Sequence, residues 1–148
     1  MNMRLAALLW SVLVLGCVQP AAAEIVSQQA ENKIPVAMIG VVTSSRYTEV
    51  RLQTQAAIAD VCWTSQGADS PYLLAGDRRY RFLGGDGITA CPNRRNYAAH
   101  ESMALRFEPL DRQAKEFSLV EGLGGEKQMI DPTSSKARFW NFLRVKLK

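Results

Sequence analysis

Apolar and polar side chains alternate with a period of two along most of the chain. Thr48, Val50 and Leu52 alternate with Tyr47, Glu49 and Arg51, and Met103, Leu105 and Phe107 alternate with Ala104 and Arg106. Leu143, Val145 and Leu147 stand opposite Arg144, Lys146 and Lys148. Successive side chains of a strand point to opposite faces, so each run predicts a strand with one wet face. "VAMIGVVTS", from Val36, is β-branched and apolar, and the short "SSR" link that follows suits a hairpin. "DVCWTS" adds a short strand around Cys62 and Trp63, and "EFSLVEG" places Phe117 and Leu119 on one side. "PYLLAGDRRYRF" reads as two strands joined at Gly76-Asp77, residues suited to positive φ, and "LGGDGITACP" reads as a glycine-rich turn leading to Cys91. In "LRFEPLD", residues 105–111, Pro109 lacks the N–H that a continuing ladder needs, so the strand stops there. Seven or eight short strands separated by turn signals predict an all-β, antiparallel β-sandwich over residues 35–148.

Two segments break the period. Residues 24–34, "EIVSQQAENKI", are polar and predict a linker or a short helix. Residues 122–138, "GLGGEKQMIDPTSSKAR", hold three glycines and a proline and exceed the usual hairpin connection. They predict an irregular, exposed loop. Lys127, Met129, Ile130 and Asp131 are its candidate partner contacts, with Met129 and Ile130 as the apolar tip.

The first 23 residues have a different character. Arg4 precedes an apolar run, "LAALLWSVLVLG", and "VQPAAAE" offers a small-residue A-x-A site ending at Ala23. This is the pattern of an export signal, and the run is shorter than the roughly 20 apolar residues a spanning helix needs. Cleavage after Ala23 is the expected processing. "VLGC" also resembles a lipobox, so the competing route is lipidation at Cys17, which would leave an envelope lipoprotein. The mature chain is expected in the periplasm or outside the cell.

On either route Cys62 and Cys91 remain as an even pair in an oxidising compartment, and one disulfide between them is expected. Closing that loop would contribute on the order of 3.5 kcal/mol by restricting the unfolded chain. A metal pair or a reactive thiol is the competing reading, and neither cysteine has a second ligand beside it. Removing residues 1–23 takes away one charge, Arg4, so 17 basic side chains face 14 acidic ones and the net charge is +3. That mild excess could favour anionic envelope material, but its size is ordinary for a solvated surface, and export argues against nucleic acid as partner.

The order "YLL…G…Y…F…GI…P", then "M.L.FEPL…FSL.EG" and a terminal "W.F..V.L", resembles bacterial extracytoplasmic immunoglobulin-like modules of unknown function. The matching positions are Tyr72, Leu73, Tyr80, Gly87, Ile88, Phe107, Glu108, Pro109, Leu110, Phe117, Glu121, Gly122, Trp140 and Phe142. The resemblance spans roughly residues 35–148 and implies an immunoglobulin-like sandwich of about seven strands. It supplies no catalytic residues, and the chain departs from the pattern in its 122–138 insert and its cysteine pair.

Candidate chemistry is sparse. Glu108 and Asp111 could form a carboxylate pair, but a strand end with solvated acids is the simpler reading. His100 is the single histidine, and no nucleophile motif accompanies it. "GGDG" at 84–87 has no phosphate-binding lysine, and the stripes Arg78/Arg79/Arg81 and Arg144/Lys146/Lys148 read as solvated faces that guard strand edges. No cofactor or metal is expected, and no oligomeric state is assigned. The expected function is therefore a non-enzymatic envelope module that binds or scaffolds another envelope protein. A small periplasmic inhibitor or immunity protein is the alternative, and a small-ligand binder or enzyme ranks third.

Overall fold

The structure, a computed structural model, describes residues 21–23, 25–30, 34–134, 136 and 139–148. The apolar leader run, Arg4 and Cys17 lie outside the described residues. The strands are β1 (Ala21–Ala23), β2 (Ile25–Ala30), β3 (Val36–Thr43), β4 (Thr48–Thr54), β5 (Ile58–Val61) and β6 (Tyr72–Ala75). After them come β7 (Arg78–Asp86), β8 (Arg95–Tyr97), β9 (Ser102–Phe107), β10 (Glu116–Val120), the helix α1 (Gly122–Ile130) and β11 (Phe142–Leu147).

Nine strands pair in the order β1-β3-β4-β9-β7-β6-β10-β11-β2, all antiparallel, and β5 pairs with β8 separately. Strand β7 belongs to both halves. Its first four residues, Arg78–Arg81, pair with β6, and Phe82–Asp86 pair with β9 across a bulge between Phe82 and Gly84. A bulge bends a strand and increases its twist, so the sheet folds over at β7 into the two layers of a sandwich. Leu52, Leu105 and Phe107 of one layer and Leu73, Phe117, Phe142 and Val145 of the other form one buried core. Trp63 closes one end, edge-on to Trp140 at 5.5 Å and stacked on Phe82 at 6.5 Å. The all-β sandwich predicted from the alternation is the observed class.

Several local predictions hold in detail. The β3–β4 hairpin turns at Ser44, whose hydroxyl accepts the amides of Arg46 and Tyr47. The β6–β7 hairpin turns at Gly76-Asp77, with Gly76 at φ 57, as a primed two-residue turn requires at its first position. Strand β9 buries Met103, Leu105 and Phe107 and ends before Pro109; the Leu110 amide then bonds the buried Thr48 hydroxyl at 2.9 Å. Cys62 and Cys91 form a disulfide with Cα atoms 5.0 Å apart.

Three predictions are corrected. Gly84, Gly85 and Asp86 are not a turn but the second half of β7, paired with Arg106, Leu105 and Ala104; the turn begins at Gly87, φ 71. Residues 25–30, read as part of a spacer or helix, form β2 on the edge of β11. Pairing at an edge goes through the backbone and needs no apolar alternation, so the polar composition of this segment masked the strand. The 122–138 segment, expected to be irregular throughout, opens with two and a half turns of helix, α1.

Candidate functional site on the outer face of α1

Helix α1 begins at Gly122, whose φ of 60 and close approach to the backbone of Asp69 exclude a side chain: a Cβ there would lie 2.5 Å from the Asp69 carbonyl. Two further glycines serve the same approach. A Cβ on Gly125 would meet the Asn141 Oδ1 at 2.6 Å, and one on Gly124 would enter the Phe139 ring. The glycines that suggested a flexible loop therefore let a helix backbone lie directly on its neighbours. Glycine costs about 1 kcal/mol relative to alanine within a helix, so propensity alone argues against α1. Tertiary contact overrides it.

Polar side chains complete the seat. Asn141, fully buried, accepts the Glu121 amide at 3.0 Å and donates to the Gly125 carbonyl at 3.0 Å. Gln128, also fully buried, accepts the Phe139 amide at 3.2 Å. Glu121 accepts the Trp140 amide at 2.6 Å. Burial pushes the Glu121 carboxyl up to about 7, against the opposing pull of that amide. On the far side Glu126 accepts the Tyr72 hydroxyl at 2.6 Å and pairs with Arg79 at 2.7 Å, while Arg79 stacks on the Tyr72 ring. Burial, then the Glu126 carboxylate, raises the Tyr72 phenol above its ordinary value.

The helix is thus amphipathic in reverse. Gly122, Gly125 and Gln128, three residues apart each time, face the protein. Leu123, Lys127 and Ile130 face outward at spacings of four and three, with Leu123 41% and Ile130 87% exposed. Beside the helix runs a groove of about 390 Å³ lined by residues 65–68, Ser70, Pro71, Tyr72, Arg79, Arg81 and Phe82. It shares Tyr72 and Arg79 with the clamp on Glu126, and the Ala68 carbonyl of its rim accepts the Leu123 amide at 3.0 Å.

The sequence-derived contact residues are divided by this geometry. Lys127 and Ile130 lie in the exposed stripe, Met129 is half-buried at its flank, and Asp131 is exposed just past the C-terminus of α1, where its amide bonds the Lys127 carbonyl at 2.8 Å. The Asp131 carboxylate is held low by the Thr133 hydroxyl and then the Thr133 amide. Leu123, Glu126, Tyr72 and Arg79 were missed. Reading 122–130 at a helical period would have aligned Leu123 with Lys127 and Ile130, but the glycines discouraged that period.

The remaining candidates are not brought together. Glu108 pairs with Arg81 at 2.8 Å, and Asp111 with Arg78 at 3.1 Å and the Tyr80 hydroxyl at 3.0 Å, so each acid serves its own arginine on β7. His100 is an exposed turn residue with φ 67, donating its amide to the Thr54 carbonyl. Arg78, Arg79 and Arg81, read as a solvated stripe, are each engaged by an acid. Among the described residues no cluster of three or more His, Cys, Asp or Glu side chains could hold a metal ion, and no helix is long and apolar enough to cross a membrane. Compared with known proteins, the chain matches no family model, no curated protein and no solved structure.

Proposed function

We propose that this protein is an exported, non-enzymatic module with an immunoglobulin-like sandwich that binds or scaffolds another envelope protein through the outer face of α1. The reversed amphipathicity of the helix carries this reading. A surface helix ordinarily turns its large apolar residues inward. Here small and polar residues take the inner positions, and Leu123 and Ile130 are held in water on a backbone fixed by Asn141, Gln128 and Glu126. A rigid scaffold that presents apolar groups beside a cation is a surface prepared for a partner, because little order remains to be imposed on binding.

The test is site-specific photo-crosslinking in the envelope. A photoreactive residue at Leu123 or Ile130 should give the same discrete adduct, and one at exposed Arg112 should not. Absence of an adduct at both helix positions, or an identical adduct from Arg112, would refute the assignment of this face.

A further inference from the structure

The two ends of the nine-stranded sheet are covered by neighbouring pieces of chain, β1 on β3 and β2 on β11, and the covered strands differ in chemistry. Strand β11 carries Arg144 and Lys146, and Lys148 follows it; such charges keep a strand edge from accepting strangers. Strand β3, "VAMIGVVT", carries no charge and no proline, and its Ile39 is 50% exposed. Over Val41–Thr43 its outer backbone edge is met by β1 in the register Ala21↔Thr43, Ala22↔Val42 and Ala23↔Val41. Those three alanines are the small-residue site at which the export signal is expected to be cut.

We propose that removal of the leader after Ala23 turns the Val41–Thr43 edge of β3 into a strand-addition site. It takes an extended segment with small, uncharged side chains from another polypeptide, antiparallel to β3, in the lane that β1 occupies. The proposal rests on the Ala23 reading of the processing site. The occupant's chemistry follows from what it replaces. The segment it replaces is three alanines, their register sets the direction, and the lane's own strand offers no charge to pair with one on the guest. In this mode main-chain hydrogen bonds supply the affinity and the side-chain lanes the specificity. Strand β2 begins at Ile25 and stays on β11 after such a cut, so only the β3 end opens. A second copy of β3 fits the lane poorly. Self-pairing over Val41–Thr43 alone would fall far short of the roughly 1,200 Å² of a stable dimer.

The probe is the chain's own segment supplied in trans, a capped peptide of residues 18–25. It should bind a chain beginning at Glu24 and slow amide exchange within Val41–Thr43. A chain beginning at Val18, whose lane is filled, should bind it at least tenfold more weakly. The peptide with Ala22→Pro, which removes an N–H from the lane, should not bind. If the chain beginning at Glu24 does not fold, the chain beginning at Val18 with Ala22→Pro should open the lane and bind the unsubstituted peptide. No binding by either opened chain, equal binding of the proline peptide, or dimerisation of the opened chain through β3 would each overturn the proposal. Sequencing the N-terminus of the exported protein tests the cleavage separately. A product beginning at Cys17 keeps β1 in place and overturns the proposal for the protein in the envelope, while leaving the α1 face unaffected.

Discussion

Strand β9 and the seat of α1 lie at opposite extremes of how this protein holds itself together. β9 sits between β4 and β7 and buries Met103, Leu105 and Phe107 in a continuous apolar core. The α1 seat is built on close backbone approach and polar contacts instead. It depends on three glycines that permit contact and on Asn141, Gln128 and Glu121, which satisfy backbone groups that the contact would otherwise strand. Apolar burial is non-directional and roughly proportional to area, so losses in such a region scale with the volume removed. The seat is directional: one added methyl or one lost acceptor is felt in full, because a buried polar group without a partner costs about 1–3 kcal/mol. The first region should therefore degrade in proportion, and the second should fail at single atoms and respond to pH.

The largest expected effect is in β9. Leu105→Ala removes a fully buried side chain and should lower global stability by about 3–4 kcal/mol in denaturant melts, within the usual range for such truncations. Both layers should unfold together, since the core is shared. Separate transitions for the two layers would dissolve the idea of one core.

Next comes the pH response of the seat. The Glu121 carboxyl binds its proton more tightly in the folded state, at about 7, than at its ordinary value of 4.5. Stability from this group is therefore complete below pH 4.5, declines as pH rises through 7, and is absent above it; the decline amounts to as much as about 3 kcal/mol. Glu121→Gln keeps an oxygen for the Trp140 amide without the charge, so at pH 8 it should stabilise the protein and remove this slope. A wild-type stability that rises steadily from pH 5 to pH 8 would show that the carboxyl is not desolvated as described.

Gly122→Ala should cost about 2 kcal/mol, because a β-carbon is strained at positive φ and collides with the Asp69 backbone. The loss should be local. Amide protection should fall in α1 while β4, β9 and β7 keep theirs; an unchanged α1 would mean the close approach is not required. The smallest effect sharpens the contrast from the other side. Leu123→Gln with Ile130→Gln, on the exposed face of the same helix, should change stability by no more than about 0.5 kcal/mol. A loss above 1.5 kcal/mol would place these residues in the fold rather than on a presenting surface.

What could be read from the chain follows the same division. The β9 pattern, the Gly76-Asp77 hairpin and the Cys62–Cys91 disulfide are written in side-chain chemistry that has one common structural use. The α1 seat is not. Its glycines resemble loop residues until Asp69, Phe139 and Asn141 are seen to need the space, and Asn141 and Gln128 look like surface amides until their backbone partners, distant in sequence, are in view. The bend at β7 was hidden likewise, since Gly84 and Gly85 read as a turn but sit in a strand where Ile88 crowds Gly85. Lys127 and Ile130 were rightly expected at the surface, though on an irregular loop rather than on a helix. Strand β2 had no side-chain signature at all.

The pairing of β2 with β11 has a mechanical consequence. Ile25 lies opposite Leu147 and Ala30 opposite Phe142, so the start of β2 and the end of β11 lie side by side at one corner of the sheet. A force pulling those ends apart does not shear the ladder with its bonds sharing the load. It peels the bonds one at a time from the corner inward. Hauled from the start of β2 and the end of β11, this edge would open like a zip at low tension, whereas a pull between the start of β2 and α1 would draw the load through the body of the sandwich instead.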